Sequence, residues 1–258
     1  MVCNSGKTQR EEMSKFFVDK EYVGESEILI KNLTDINHIS KVLRLGIGDM
    51  LIISDSSDFD YQVEIIKIMS TEITCKILDK QKFAKEPSTK VTLFQGIPKQ
   101  GKMELIVQKN VEIGIMKIVP VFMDRTVVVD KGNFSKKIER WNKISQEASG
   151  QCRRGIIPVV TDPVNFDSMI KYLDEFDLVV FPYENQESFT VKNLMKNLKQ
   201  KPSNIALIIG PEGGFSEREA KILSDIGVLS VNLGKTILRT ETAGFVALSM
   251  IMYEFELD

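Results

Sequence analysis

The sequence predicts an α/β protein in two parts, a small β-rich domain followed by a larger domain built on a largely parallel sheet. Three observations predict it. Between residues 13 and 84, short runs rich in Ile and Val follow one another with turn residues between them. Beyond a charged stretch at Lys80–Lys90, apolar strand-like runs alternate with amphipathic helical ones. Two of the later runs, Leu178–Phe181 and Ile205–Ile209, are apolar throughout, as strands are when both faces of a sheet are covered.

Taken in order, residues 1–12 are polar and read as a loose tail, with ordered structure beginning at Phe16-Phe17-Val18. Glu27–Lys31, Met50–Ser54, Tyr61–Met69 and Glu72–Leu78 read as strands, separated by turns at Gly46–Asp49 and Asp55–Asp58. A short helix is expected at Asp35–Leu43, with Thr34 as its N-cap. Lys80–Lys90 reads as a linker, which sets the domains at 13–84 and 85–258. In the second domain Val91–Gln95 is a buried strand. Lys102–Ile113 is a helix with Met103, Ile106, Val107 and Val111 on one face and Gly114 as its stop. Lys117–Phe122 is a strand and Ser135–Gln151 a long helix. Ser216–Glu219 forms a capping box for a helix ending at Gly227. The last helix, Glu241–Phe255, is apolar nearly all round and must be covered on several sides, by the core or by a second subunit.

Composition narrows the function classes. Of 258 residues, 43% are hydrophobic and 27% charged, an ordinary globular balance. Three well-separated cysteines, Cys3, Cys75 and Cys152, lack metal-ligand spacing and suit a reducing compartment; with one histidine, His38, no metal site is expected. The N-terminal segment lacks the apolar core of a secretory signal and no run reaches membrane-spanning length, so a cytoplasmic location away from membranes is expected.

Two segments stand out chemically. Ile209-Gly210-Pro211-Glu212-Gly213-Gly214 joins a buried strand to a capped helix, at the strand end where α/β proteins bind small molecules. Its glycines allow close backbone approach, and Glu212 can accept hydrogen bonds from a ligand or hold the loop. A tight strand-to-helix connection explains the same residues. The second segment, Leu233-Gly234-Lys235-Thr236-Ile237-Leu238-Arg239-Thr240-Glu241-Thr242-Ala243, imitates the end of a phosphate-binding loop. Position 229 is Leu where that motif needs Gly, and no dinucleotide fingerprint follows any strand. What remains is a loop entering a helix capped near Thr240, with Arg239 and Glu241 at its mouth, either functional or a surface ion pair.

The net charge is −2, yet between Asp130 and Val160 seven basic residues, including Lys131, Lys136, Lys137, Arg140, Arg153 and Arg154, face three acidic ones. Such a patch neutralises RNA phosphates or forms a solvated helix face. Lys15, Lys41 and Arg44 give the small domain a similar basic character.

Together these segments resemble a known family. Lys15-Phe16-Phe17-Val18 is similar to its opening R-F-F-V, with Lys for Arg. His38 through Arg44 and Gly48-Asp49 resemble its H-x-x-x-V-L-R-x-x-x-G-D stretch. Glu147-Ala148, Gln151-Cys152, Arg154 and Pro158 resemble its E-A-x-x-Q-C-x-R-x-x-x-P segment. The two loops above match its signature loops in order. On these motifs the chain resembles the RsmE-type ribosomal RNA uridine-N3 methyltransferases of the SPOUT superfamily.

That resemblance implies a PUA-like RNA-binding barrel at 13–84 and a SPOUT domain with a trefoil knot at 85–258. It implies S-adenosyl-L-methionine as cofactor, held by Phe181, Pro182, Gly210, Pro211, Glu212, Gly213, Leu233, Gly234, Ile237, Leu238, Arg239, Thr242 and Ala243. It implies a homodimer acting on 16S rRNA within the small ribosomal subunit. Lys15, Lys41, Arg44, Lys136, Lys137, Arg140, Arg153 and Arg154 would face the RNA. Uridine N3 carries a proton at neutral pH, so the reaction needs charge stabilisation and a proton acceptor. Arg154 and Arg239 are the candidates for the first role, Glu212 and Glu241 for the second. Two other readings share these residues: a SPOUT enzyme with another RNA target, and a non-catalytic RNA-binding ribosome assembly factor.

Overall fold

The structure, a computed structural model, describes residues 13–82, 86–99, 101–129, 132, 134–186 and 188–257. The expected tail at 1–12, part of the expected linker, and the charges Asp130 and Lys131 lie outside the described residues. The chain forms two units, one made of the chain up to Glu86 together with Ser149–Ile157, the other of Pro87–Ala148 and Pro158 onward. The return of 149–157 to the first unit differs from the contiguous division expected from the sequence.

In the first unit, β1 (Lys15–Phe17), β2 (Glu27–Ile30), β3 (Met50–Ser54), β4 (Phe59–Ile68) and β5 (Ile73–Lys82) form one sheet in the order β1-β3-β4-β5-β2. The β1–β3 pair is parallel and the others antiparallel. Alternate residues along the strands, Ile28 and Ile30, Leu51 and Ile53, Val63 and Ile65, meet in a single core with Phe16 and Ile39. The short helix α1 (Leu33–Asn37) begins two residues earlier than expected. Its cap is Asn32, whose side chain accepts from the amides of Thr34 and Asp35, and not Thr34. From His38 to Val42 the turns widen to π geometry. β5 runs on to Lys82, into what composition alone reads as linker.

Glu86 is the anchor of the returning segment. Its carboxylate accepts from Nε and Nη2 of Arg154, at 3.2 and 2.7 Å, and from the amides of Gly155 and Ile156 at 2.8 and 3.1 Å. The Ser54 hydroxyl donates to the Gly155 carbonyl at 2.8 Å.

The second unit is a parallel sheet. Its strands are β6 (Lys90–Gly96), β7 (Lys117–Phe122), β8 (Val159–Val160), β9 (Val164–Asn165), β10 (Leu178–Pro182), β11 (Asn204–Ile209) and β12 (Ser230–Val231). They run in the order β12-β10-β11-β6-β7-β8, with β9 also paired to β7. Every pairing in it is parallel. The helices are α2 (Lys102–Ile113), α3 (Phe134–Gln151), α4 (Phe166–Ile170), α5 (Val191–Lys196), α6 (Glu217–Asp225) and α7 (Thr240–Glu256). Residues of α2, α3, α5 and α7 pack with Leu93, Ile205 and Leu207 on one face of the sheet. On the other, α4 and α6 pack with Phe94, Ala206 and Ile208. Covering on both faces is why β11 is apolar without alternation. The capping box at Ser216 is formed in both directions, the Glu219 amide donating to the Ser216 hydroxyl and the Ser216 amide to the Glu219 carboxylate.

The end of α7 is fastened to the start of β6. The Glu256 carboxylate accepts from the amide and hydroxyl of Ser88 at 3.0 and 2.8 Å and from the Thr89 amide at 2.9 Å, with Lys201 Nζ at 3.2 Å. Burial opposes its ionisation, but the Ser88 and Thr89 hydrogen bonds prevail and bring its pKa down to about 2. A carboxyl with a folded pKa below its unfolded value stabilises the fold above the unfolded value and ceases to as pH falls through the folded one. Glu256→Gln is therefore expected to cost about 1–2 kcal/mol at neutral pH, as hydrogen bonds to a charged group do. In urea titrations the gap from wild type should close between about pH 4.5 and about pH 2; a gap independent of pH would count against this role.

Candidate active site

Three loops leave the carboxyl ends of neighbouring parallel strands in the second unit. β10 lies between β12 and β11, and β6 lies on the far side of β11. The loop after β11 (210–216) leads to α6, the loop after β12 (232–239) leads to α7, and the loop after β6 (97–101) leads to α2. Parallel pairing fixes all these exits on one edge of the sheet, where helix N-termini and free loop backbone converge on a ligand.

The first two loops are tied together twice. Deeper in, the Thr240 hydroxyl donates to the Gly210 carbonyl at 2.6 Å and accepts from Gln95 Nε2 at 2.9 Å. Thr240 is thus not the side-chain cap of α7; Arg239 holds the N-cap position with no side-chain cap bond. Nearer the surface, Lys102 Nζ stands 3.2 Å from Glu212 Oε1 and 3.1 Å from Glu241 Oε2. Glu212 also accepts from the Lys99 amide at 3.0 Å. Burial works against ionising Glu212 and Glu241, yet backbone amides and Lys102 outweigh it and hold both below the usual carboxylate range. The two carboxylates beside Lys102, Glu241 foremost, raise the lysine in turn.

Close approach of backbone explains one glycine. A Cβ on Gly96 would lie 2.5 Å from the Pro211 nitrogen, so β6 and the 210–216 loop touch through main chain. Gly214, at φ +67°, adopts a left-handed turn with the Glu184 carboxylate against it. The outer side of this loop rests on the segment after β7. Arg125 Nη1 donates to the Gly213 carbonyl at 2.8 Å, the Asp124 amide to Glu219 at 2.8 Å, and the Ser216 hydroxyl to Asp124 at 2.6 Å. Hydrogen bonds from Arg218 and then Ser216 lower the Asp124 pKa to about 2.

In the 232–239 loop, Asn232 Oδ1 accepts from the Gly234 amide at 2.6 Å, and the amides of Thr242 and Ala243 both donate to the Arg239 carbonyl at 2.8 Å. Leu233 and Leu238 are half-buried, while Ile237 is 85% exposed. The Arg239 side chain is 83% exposed, with Glu241 4.0 Å away. Phe181 is buried in an aromatic cluster with Tyr183 and Phe215, which leaves only its backbone facing the strand end.

Of the loop residues singled out in the sequence, the structure ties Gly210 to Thr240 and sets Glu212 and Glu241 about one lysine, while Phe181 and Pro182 pair with Ser230 and Val231 at the start of the 232–239 loop. Arg154 is buried in the first unit against Glu86, its side chain 6% exposed. Lys15 is likewise withdrawn, 4% exposed and 2.7 Å from Asp60. A buried, paired cation reaches a phosphate only by breaking its pair, which costs several kcal/mol, so neither is carried forward as an RNA or catalytic contact. Lys41, Arg44, Lys136 and Arg140 are exposed, Arg140 paired with Glu104 at 2.9 Å. Lys137 lies over the Phe134 ring, and Arg153 is half-buried with φ +61°. Three contributors were missed from the sequence: Gln95, Lys102 and Arg125. The available signal was Gln95 closing a strand-like run, Val91–Phe94, followed by a lysine at the first position of a helix.

An all-parallel sheet with such a loop cluster at one edge is the frame of a small-molecule-binding domain. The family model of the RNA methyltransferase domain matches residues 84–252, and that of the RNA methyltransferase PUA domain matches residues 30–78. The chain belongs to this RNA methyltransferase family. Among its relatives, the ribosomal RNA small subunit methyltransferase E of Bacillus subtilis is 32% identical, covering 95% of this chain and 98% of its own. The enzyme of the same name from Buchnera aphidicola (subsp. Acyrthosiphon pisum) is 34% identical over 85% of each. A methyltransferase from Legionella pneumophila, solved with bound SAM, superposes with a TM-score of 0.81 at 29% identity, over 93% of this chain and 97% of that one. The fold is shared as well with the Neisseria gonorrhoeae ribosomal RNA small subunit methyltransferase E, TM-score 0.80 at 23% identity, over 93% of this chain and 97% of that one. Among the described residues no helix is long and apolar enough to cross a membrane, and no group of three or more His, Cys, Asp or Glu could hold a metal ion.

Proposed function

We propose that this chain transfers the methyl group of S-adenosyl-L-methionine to N3 of a uridine in 16S rRNA of the small ribosomal subunit. The observation that carries this reading is the joining of the two signature loops, Gly210 to Thr240 and Glu212 through Lys102 to Glu241, at the edge of a sheet shared with a SAM-bound relative. The residues present fit that cofactor. Leu233, Ile237 and Leu238 offer an apolar ledge for a purine, and the glycine-rich 210–214 turn admits close backbone approach. When bound, S-adenosylmethionine supplies an electrophilic methyl on a sulfonium.

The chain's own groups do the rest. Leu233 through Arg239 and Gly210 through Gly213 hold the cofactor, with Pro182 beside them and Thr242 and Ala243 closing the first helical turn. Arg239, exposed at the rim, stabilises the negative charge that grows on the uracil carbonyls as the N3 proton leaves. Glu212 and Glu241 are held ionised by Lys102 and their backbone amides, so they serve as anchors of the loops and are not assigned the proton. Lys41, Arg44, Lys136, Lys137, Arg140 and Arg153 supply basic surface for RNA phosphates. The same reading includes a C-terminal trefoil knot, a homodimer, and a cytoplasmic location with the ribosome. Exposed Val127, Val129 and Ile237 supply apolar surface that a second subunit would cover.

The test is product identity. Incubated with labelled S-adenosylmethionine and small subunits lacking the modification, the protein is expected to yield 3-methyluridine by nucleoside mass spectrometry. A different methylated nucleoside would discard the substrate and keep the class. Absence of both transfer and cofactor binding would favour a non-catalytic assembly factor.

A further inference from the structure

We propose that Lys102 is a positioning residue for the cofactor site, an ionic clip that sets the spacing between the 210–216 loop and the start of α7. The inference rests on the loop assignment made above. Lys102 belongs to neither loop; it opens α2, on the segment that follows β6. Its ammonium reaches one carboxylate from each side, Glu212 at 3.2 Å and Glu241 at 3.1 Å. These carboxylates flank the two stretches, 210–213 and 233–239, that would enclose the ligand.

The site gains from such a clip because Glu212 and Glu241 stand on different loops and both reach the same ammonium. The tie below it, from Gln95 through Thr240 to Gly210, is neutral and buried. It fixes the base of the cleft. Above it, two carboxylates would repel each other and spread the loops if no cation lay between them. The Lys102 side chain is 32% exposed and that of Glu241 13%, so the clip is shielded from solvent more than a surface pair and less than a core one. Glu212 also caps the segment entering α2 through the Lys99 amide, which holds the lysine's own backbone in register. One cation therefore adjusts three segments at once: the β6–α2 turn, the 210–216 loop and the first turn of α7.

The expected result is read as cofactor affinity by calorimetry, with S-adenosylmethionine and, separately, S-adenosylhomocysteine. Lys102→Met should raise Kd for both by about tenfold, the scale of a charge-assisted contact. Lys102→Arg should restore affinity to within about threefold, because a guanidinium spans the same two carboxylates. Adding Glu241→Gln to Lys102→Met should cost less than it does in the wild type, since the repulsion is then relieved. The same loss should appear as a raised KM for the cofactor. Unchanged Kd in Lys102→Met, or a loss that Lys102→Arg fails to restore, would overturn the clip. Leu238→Glu serves as the control for the loops themselves. If it too leaves affinity unchanged, the loop assignment falls and the clip with it; if it abolishes binding while Lys102→Met does nothing, the clip alone falls.

Discussion

Arg239→Ala is expected to lower kcat by about 10²–10³-fold, the effect of removing one preorganised group that meets developing charge, while cofactor affinity stays within about threefold. The guanidinium is 83% exposed and its nearest partner, Glu241, is 4.0 Å away. An exposed pair at that distance contributes little to stability, so the variant should fold as the wild type does. Cofactor contacts in the 232–239 loop are assigned to the main chain and to Leu233, Ile237 and Leu238, which the substitution leaves in place. Arg239→Lys should recover only part of the rate, because an ammonium lacks the planar, rigid fork of donors that a guanidinium presents to two carbonyls. Single-turnover transfer at saturating cofactor separates these terms. Loss of affinity equal to the loss of rate would reassign Arg239 to cofactor binding, and an unchanged rate would remove it from the mechanism.

Gly96→Ala is the second large effect, this time on the fold. The new Cβ would meet the nitrogen and Cδ of Pro211 at 2.5 and 2.6 Å and the carbonyl carbon of Gly210 at 2.8 Å. These are atoms of a loop pinned by Thr240, so they cannot yield as the end of a side chain would. A cost of about 3 kcal/mol, at the upper end for overpacking, is expected in urea unfolding, together with loss of cofactor binding as the 210–214 turn is pushed outward. Gly244→Ala makes the comparison. Its Cβ would find ordinary contacts at 3.6 to 3.7 Å with the side chains of Gln95, Asn110 and Leu93, and alanine is the better helix former by up to about 1 kcal/mol. Near-equal stability of the two variants would refute the close-approach account.

Much of the second unit was legible because its elements are long and their burial is simple. Lys102–Ile113 and Lys117–Phe122 have the boundaries their periodicity predicts. Ser216 and Glu219 announce a capping box by spacing alone, and the box is formed. The two-residue strands β8, β9 and β12 and the short helices α4 and α5 went unread, since two to six residues hold too little of a period to show one. The Thr34 cap failed for a local reason: Asn32 accepts from the amides of Thr34 and Asp35, so the helix starts at Leu33 and Thr34 lies inside its first turn. At the site, the glycine-bearing loops were visible as residue types, but their spacing from one another was not. That spacing is set by Gln95 and Lys102, whose partners lie more than a hundred residues along the chain. Arg154 and Lys15 carry the charge that suggests RNA contact, and only three-dimensional burial shows that Glu86 and Asp60 already occupy them.

The return of residues 149–157 to the first unit bears on how the protein is made. Glu86 waits for Arg154, 68 residues further on, and Ser54 for Gly155, 101 residues further on. During synthesis the amino-terminal sheet can therefore assemble its strands early, but it keeps an uncompensated carboxylate until α3 has cleared the exit tunnel. Fragments ending at the boundary near residue 86 would inherit the same defect permanently. Dissection of this protein into separately expressed halves would thus yield an incomplete first half, and a circular permutant opened within 149–157 would break the segment that completes the first unit.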